Sequence, residues 1–175
     1  MKNFTDDIGI TGHLTIIKQF PNGEEEVVFD DHNIIVSGMG AIGLFAVQFA
    51  RLSGAVALVA VRTIEARREL ALQHGATKAV DPNETDDLGM ASREWFPDGA
   101  DVVIEASGSY AALNQAIRAA RYAGKVIPLA MYTGDPSALE LGEEFHFNQI
   151  DIISARACSH PQSQLYRSAS RNEEP

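Results

Sequence analysis

The chain has 175 residues, 45% of them apolar and 22% charged, which suits one globular domain large enough to bury a core. Its 24 acidic against 14 basic residues, a net charge of −10, exclude a nucleic-acid partner gripped through a basic face but allow a local hold on an anionic small molecule. The one cysteine, Cys158, excludes an internal disulfide, and with no apolar leader in Met1–Asp7 the expected setting is reducing and cytoplasmic.

In chain order, residues 1–32 come first and differ in style from the rest. His13–Phe20 is rich in β-branched residues, Pro21-Asn22-Gly23 is a turn signal, and Glu24–Phe29 can return as a second strand. The expectation is an acidic β-hairpin ahead of the main domain.

Ile34-Ile35-Val36-Ser37 then reads as a strand, Gly38-Met39-Gly40-Ala41-Ile42-Gly43 as a Gly-x-Gly-x-x-Gly turn, and Leu44–Leu52 as the helix it opens. Val56–Val61 supplies the next strand. In that setting Gly38 permits a tight turn, Gly40 admits a pyrophosphate to the backbone, and Gly43 lets the helix lie close on the sheet. The phosphate would rest on the free N–H groups at the helix start, Ala41 and Ile42 among them, where the helix dipole favours negative charge. No residue from Ile34 to Ala50 is charged, yet three glycines open the run, Arg51 ends it and Val56–Val61 is too short to span, so no membrane association is expected.

From there strands and helices alternate. Strands are predicted near 33–37, 56–61, 77–80, 101–105, 125–129 and 150–154, and helices near 41–53, 64–74, 86–95 and 110–122. Thr63 is the predicted cap of the second helix with Glu65 in its first turn, Gly75 its C-terminal stop, and Ser109 the cap of the fourth, whose apolar face is Leu113, Ala116, Ile117 and Ala120. Met131–Asn148 holds a turn and a short Leu139–Phe147 segment. The fold class is α/β, a doubly wound six-stranded parallel sheet of Rossmann type preceded by the hairpin. Domain limits follow: 1–32 the hairpin extension, 33–160 a dinucleotide-binding domain, and 161–175 a polar tail with no apolar period.

Gly38–Gly43, Gly99-Ala100-Asp101-Val102-Val103-Ile104-Glu105-Ala106-Ser107-Gly108 and Gly124-Lys125-Val126-Ile127-Pro128-Leu129 carry a resemblance. From about Ile34 to Ser159 the chain resembles the nucleotide-binding domain of zinc-type, medium-chain alcohol dehydrogenases. Arg67-Arg68-Glu69-Leu70-Ala71 and His74-Gly75-Ala76 match in order as well. The resemblance implies an oxidoreductase cofactor domain of the alcohol or polyol dehydrogenase kind. It places Ala106 and Ser107 along the adenosine side, and Leu129, Ala130, Met131 and Ala155, with Ala157 beyond it, as backbone contacts to the nicotinamide. It also implies zinc.

The end of the second strand separates NAD from NADP. An acid there binds the ribose hydroxyls, whereas an arginine accommodates a 2′-phosphate. Here the chain reads Val61-Arg62-Thr63, and Arg67 sits where the family places a basic residue over that ribose. NADP is therefore the first expectation and NAD the second.

The chemistry is harder to find. About 32 residues precede the glycine turn, without cysteine, and His13 and His32 read as surface or strand histidines. A catalytic zinc needs three protein ligands round an open position. Cys158-Ser159-His160, His74 and His146 have no such spacing, Glu105 reads as a cofactor-contact or structural residue, and Tyr110 has no lysine four residues on. No catalytic residue and no metal ligand is assigned. The expectation is a cofactor-binding domain without efficient turnover of its own, a homo-oligomer or a chain completed by a partner that brings a catalytic domain. The alternative is a structural or interaction protein: Gly12–Lys18 and the hairpin are similar to bacteriophage structural proteins, which makes the hairpin the functional element of a chain joined near Ser37–Gly40.

Overall fold

The computed structural model describes residues 15–19, 25–29, 32–85 and 87–155. Strands β1 (Thr15–Gln19) and β2 (Glu25–Phe29) pair antiparallel, with Thr15 opposite Phe29 and Gln19 opposite Glu25. The hairpin's strands are therefore present, while the predicted turn Pro21-Asn22-Gly23 lies outside the described residues.

The main domain follows as β3 (Asn33–Ser37), α1 (Ala41–Leu52), β4 (Ala57–Val61), α2 (Glu65–Gln73), β5 (Lys78–Val80), α3 (Leu88–Ala91), β6 (Ala100–Glu105), α4 (Tyr110–Ala119), β7 (Ala120–Pro128), α5 (Glu144–Phe147) and β8 (Asp151–Ile152). Its six strands are all parallel, in the order β5-β4-β3-β6-β7-β8. A parallel sheet is covered on both faces, which explains why its central strands are runs of Ile, Val and Ala rather than alternating patterns.

Successive side chains of a strand point to opposite faces, so the domain has two cores. Ile35, Val59, Val61, Val103 and Val126 face one side and pack with Leu113, Ala116 and Ile117 of α4. Ile34, Val36, Leu58, Ala60, Val102 and Ile104 face the other and pack with Val47 and Ala50 of α1 and Ala71 of α2. The buried positions of α1, Gly43, Val47 and Ala50, recur at the four- and three-residue spacing of one helical face.

Several predicted limits change, each for a tertiary or capping reason. The fourth helix ends at Ala119 rather than 122, and Ala120 turns extended to pair with Ala100 of β6. The Arg93 guanidinium donates to the carbonyl oxygens of Arg118 (3.0 Å) and Ala120 (3.1 Å) and fixes that end. The predicted helix 86–95 shrinks to α3 and a 3-10 turn, Ser92–Glu94. Asp87 starts it late by accepting from Met90 N–H at 2.9 Å, and the Ser92 hydroxyl donates to Gly89 O at 2.6 Å, a local bond that competes with a continued helix. Thr63 does not cap α2: the N-cap position is Ile64, with no side-chain cap. Glu65 does stand in the first turn, Gly75 follows the C-cap with φ +115°, and Ser109 accepts from Ala112 N–H at the start of α4. β8 is two residues long, although Ile153 and Ala155 N–H still donate to Val126 and Pro128 of β7. His32, read as a surface or strand histidine, is buried directly before β3. Ala157, Cys158, His160 and residues 161–175 lie outside the described residues.

Candidate functional site

Parallel strands put all six carboxyl ends on one edge, and the strand order reverses between β3 and β6. The helices that follow those two strands go to opposite faces, α1 to one core and α4 to the other. A crevice opens where they diverge. It holds a cavity of about 400 Å³, lined by Ser37 at the end of β3 and Gly38 after it, Val61, Arg62 and Thr63 at β4, Pro82, Asn83 and Thr85 beyond β5, and Ser107 and Ser109 after β6. That volume falls within the range of small-molecule sites.

Beside it lies the glycine turn. Gly38 N–H donates to Val61 O at 3.0 Å and the residue has φ +91°. A Cβ on Gly38 would lie 2.6 Å from Ser107 N, so both the conformation and the space require glycine. A Cβ on Gly43 would collide with the Gly38 carbonyl oxygen, whereas one on Gly40 would meet nothing within 4 Å. The turn is tight where α1 meets the sheet and open where Gly40 faces outward. No side chain caps α1 and no acid stands in its first turn. The N–H groups of Ala41, Ile42 and Gly43 thus present the positive end of a twelve-residue helix to that open space.

Arg62 lines the cavity, and its Nε is buried with no hydrogen-bond partner among the described residues. Buried donors without partners are rare. Its backbone is fixed: Arg62 N–H donates to Val80 O at 3.0 Å, and its carbonyl accepts from Arg68 Nη1 at 2.7 Å. The same nitrogen donates to Thr63 O (2.8 Å) and Asp81 Oδ2 (2.9 Å), while Asp81 Oδ1 accepts from Asn83 N–H at 2.9 Å. One guanidinium thereby joins the exits of β4 and β5, two walls of the cavity. Arg67 is exposed on α2 and does not line it.

Along the other half of the edge, Ala106 N–H donates to Ser37 O at 2.7 Å and Leu129 N–H to Glu105 O at 2.8 Å. These bonds carry Leu129, Ala130 and Met131 to the carboxyl edge beside β6, with Ala155 next to them. Met131 is 83% exposed, and neither it nor Ala106, Leu129, Ala130 or Ala155 lines the cavity. Of the residues singled out from sequence, Gly38, Arg62 and Ser107 meet round the cavity; Gly40, Ala41, Ile42 and Gly43 form the turn at its side.

Glu105 ends β6 fully buried. Its carboxylate accepts from Ser107 N–H (2.8 Å), the Ser107 hydroxyl, Gly108 N–H (3.3 Å) and the Tyr132 hydroxyl. It organises the turn after β6. Sequence reading did not single out Asn83, Thr85, Arg68 or Tyr132. For Asn83 and Thr85 a signal exists, because any loop leaving a parallel strand lies on the binding edge. Arg68 and Tyr132 act through tertiary contacts that no local pattern encodes.

Among the described residues no three His, Cys, Asp or Glu side chains gather to hold a metal ion, so the zinc implied by resemblance has no ligand set there. No helix among them is long and apolar enough to cross a membrane.

Comparison with known proteins agrees with this geometry. The family model described as zinc-binding dehydrogenase matches residues 41–171. The chain is 38% identical over 128 residues to D-guloside 3-dehydrogenase of Escherichia coli (strain K12), a span of 73% of this chain and 37% of that protein. It is 39% identical over 119 residues to L-threonine 3-dehydrogenase of Bacillus licheniformis, 68% of this chain and 34% of that one. Among solved structures, a Sinorhizobium meliloti protein assigned to the zinc-binding dehydrogenases and bound to NADP aligns with TM-score 0.64 and 29% identity, covering 72% of this chain and 37% of its own. Benzyl alcohol dehydrogenase of Acinetobacter calcoaceticus aligns with TM-score 0.68 and 26% identity, covering 81% and 39%. The chain spans about a third of the length of the curated relatives it matches.

Proposed function

Because the chain belongs to the zinc-binding dehydrogenase family, whose model matches residues 41–171, we propose that it binds NADP across the carboxyl edge of its sheet, with NAD the weaker ligand. The observation that carries this reading is Arg62, whose buried Nε has no partner among the described residues at the cavity wall, where an acid would select NAD. A 2′-phosphate supplies the missing acceptor. Gly40 and the uncapped N–H groups of Ala41, Ile42 and Gly43 would hold the pyrophosphate, and Ser107 with Ala106 would border the adenosine. Leu129, Ala130, Met131 and Ala155 would offer backbone to the nicotinamide, and Arg67 would add only a distant charge.

When bound, the cofactor supplies hydride-transfer chemistry. In this reading the chain's own residues bind and orient it, and none is assigned a step in polarising a substrate or relaying a proton. The reading is a cofactor domain of an alcohol or polyol dehydrogenase-like oxidoreductase, without efficient turnover by itself, working in the cytoplasm. Its functional unit is 33–160, with 1–32 an extension. A covering partner, a second copy or a chain bearing the catalytic domain, is part of this reading. In support, α1 turns Ile42, Phe45, Phe49 and Leu52 outward, each more than half exposed, in one stripe at helical spacing.

Thermal melting with NADPH and NADH tests it. Ligand that binds only the folded chain raises its stability by about 2.7 kcal/mol at one hundred times Kd. NADPH should raise the melting temperature more than NADH at equal concentration. No rise with either cofactor rejects the reading.

A further inference from the structure

The loop leaving β7 carries the backbone proposed to meet the nicotinamide, and few bonds hold its first residues, 129–132. Residues 129–143 contain no helix or strand, and Met131 is 83% exposed. Leu129 N–H is tied to Glu105 O, and the Met131 carbonyl packs against Gly108, where a Cβ would stand 3.1 Å from it. At its far end Glu140 N–H donates to Asn114 Oδ1 at 3.0 Å and Leu139 packs on the core, whereas the stretch next to Met131 is tied by a side chain. The Tyr132 hydroxyl donates to Oε2 of the buried Glu105.

The geometry points to Tyr132 as a positioning residue for the nicotinamide half of the site, an inference that rests on the cofactor reading above. Glu105 has roughly four lone-pair positions to satisfy. Three of its donors, the Ser107 N–H and hydroxyl and the Gly108 N–H, come from its own turn. Among the described residues, Tyr132 is the donor that reaches it from another segment. The bond therefore couples the turn after β6, which lines the cavity through Ser107, to the loop that presents Leu129, Ala130 and Met131. A buried carboxylate favours keeping every donor, so the loop is held by the cost of leaving that charge short of a partner. The Tyr132 ring is separately seated: it packs against Tyr110 at the start of α4, ring centres 5.4 Å apart, and against the core behind β7. Burial, and then the hydrogen bond to Glu105, hold its phenol far above the ordinary tyrosine value, so it stays a donor throughout the neutral range.

Because ring and hydroxyl have different jobs, Tyr132→Phe keeps the packing and removes the tie. The test compares two probes on the full chain by calorimetric titration: NADPH, and adenosine 2′,5′-bisphosphate, which has the adenosine end and no nicotinamide. In Tyr132→Phe, NADPH affinity should fall about 3–10-fold, the range of one lost hydrogen bond. Affinity for the bisphosphate should stay unchanged, and the fluorescence of bound reduced nicotinamide should shift toward that of free NADPH. Equal loss for both probes makes Tyr132 a stability residue and overturns the inference, as does no change in either. Failure of the unsubstituted chain to bind either probe removes the cofactor reading and this inference with it. If the unsubstituted chain binds only the bisphosphate, the cofactor reading of the adenosine end stands and the positioning role falls.

Discussion

On the β3–β4–β5 side of the carboxyl edge, three strand exits and the turn after β6 surround a cavity, and the Arg68 guanidinium locks two of its walls through three acceptors. On the β6–β7–β8 side the same edge leaves Met131 and Ala155 exposed, and the Leu129 N–H and the Tyr132 hydroxyl tie its loop to the buried Glu105. The end proposed for the adenosine is thus built from backbone and short bonds inside the chain. The end proposed for the nicotinamide is a surface. In a chain that spans about a third of its curated relatives' length, that asymmetry teaches which half of the grip the domain supplies by itself.

The most forceful way to break the comparison is at the glycine turn. Gly43→Ala sets a methyl against the Gly38 carbonyl oxygen, so α1 must move off the sheet and the turn must open. Overpacking of this kind costs about 1–3 kcal/mol. The expected result is a lower melting temperature and loss of measurable binding for NADPH and NADH alike. Retained affinity for both would mean that the cofactor does not use this turn.

Arg62→Asp is more selective. Losing one charge-assisted pair costs about 1.5–3 kcal/mol, so NADPH should weaken roughly tenfold to a hundredfold while NADH holds or improves. Competitive titration of the two cofactors reads the ratio. Equal weakening of both would take Arg62 out of phosphate recognition and leave the closed half of the site without its selectivity.

Much of the closed half was legible in the sequence, and much of the open half was not, for physical reasons. The strand–glycine–helix order fixes a turn whose geometry few other residues can adopt, so Gly38, Gly40 and Gly43 could be placed from their types alone. Arg62 could be placed because strand ends on a parallel sheet share one edge. The resemblance singled out Arg67 and not Arg68 in a run of charges, yet it is Arg68 that braces the cavity; helical phase relative to neighbouring loops decides that. Tyr132 sits in a stretch with no periodic pattern, and its role depends on a carboxylate twenty-seven residues away. The end of α4 was misplaced because pairing of Ala120 with Ala100 is a sheet contact that a 3.6-residue period cannot reveal.

The mildest perturbation asks whether the two halves are mechanically separate. Arg118 on α4 donates from Nη1 to Asp87 Oδ2 at 2.7 Å and from Nε to Glu144 Oε1 at 2.9 Å. Asp87 stands beside Leu88, which lines the cavity, and Glu144 opens α5 on the β7–β8 side. Partial burial raises the Glu144 carboxyl, but the hydrogen bond from Arg118 and the other contacts outweigh it and leave the group below its ordinary value. A carboxyl lowered on folding stabilises the protein above its unfolded pKa, and that stabilisation is lost as pH falls through the folded value. Partly exposed pairs of this kind contribute about 0.2–1 kcal/mol. Glu144→Gln should therefore lower stability by about that amount at pH 7. The gap to the unsubstituted chain should close below the ordinary carboxylate range and narrow in high salt. NADPH affinity at pH 7 should not change. Should it fall with the stability, the open side braces the closed one, and the adenosine end depends on contacts well outside its own cavity.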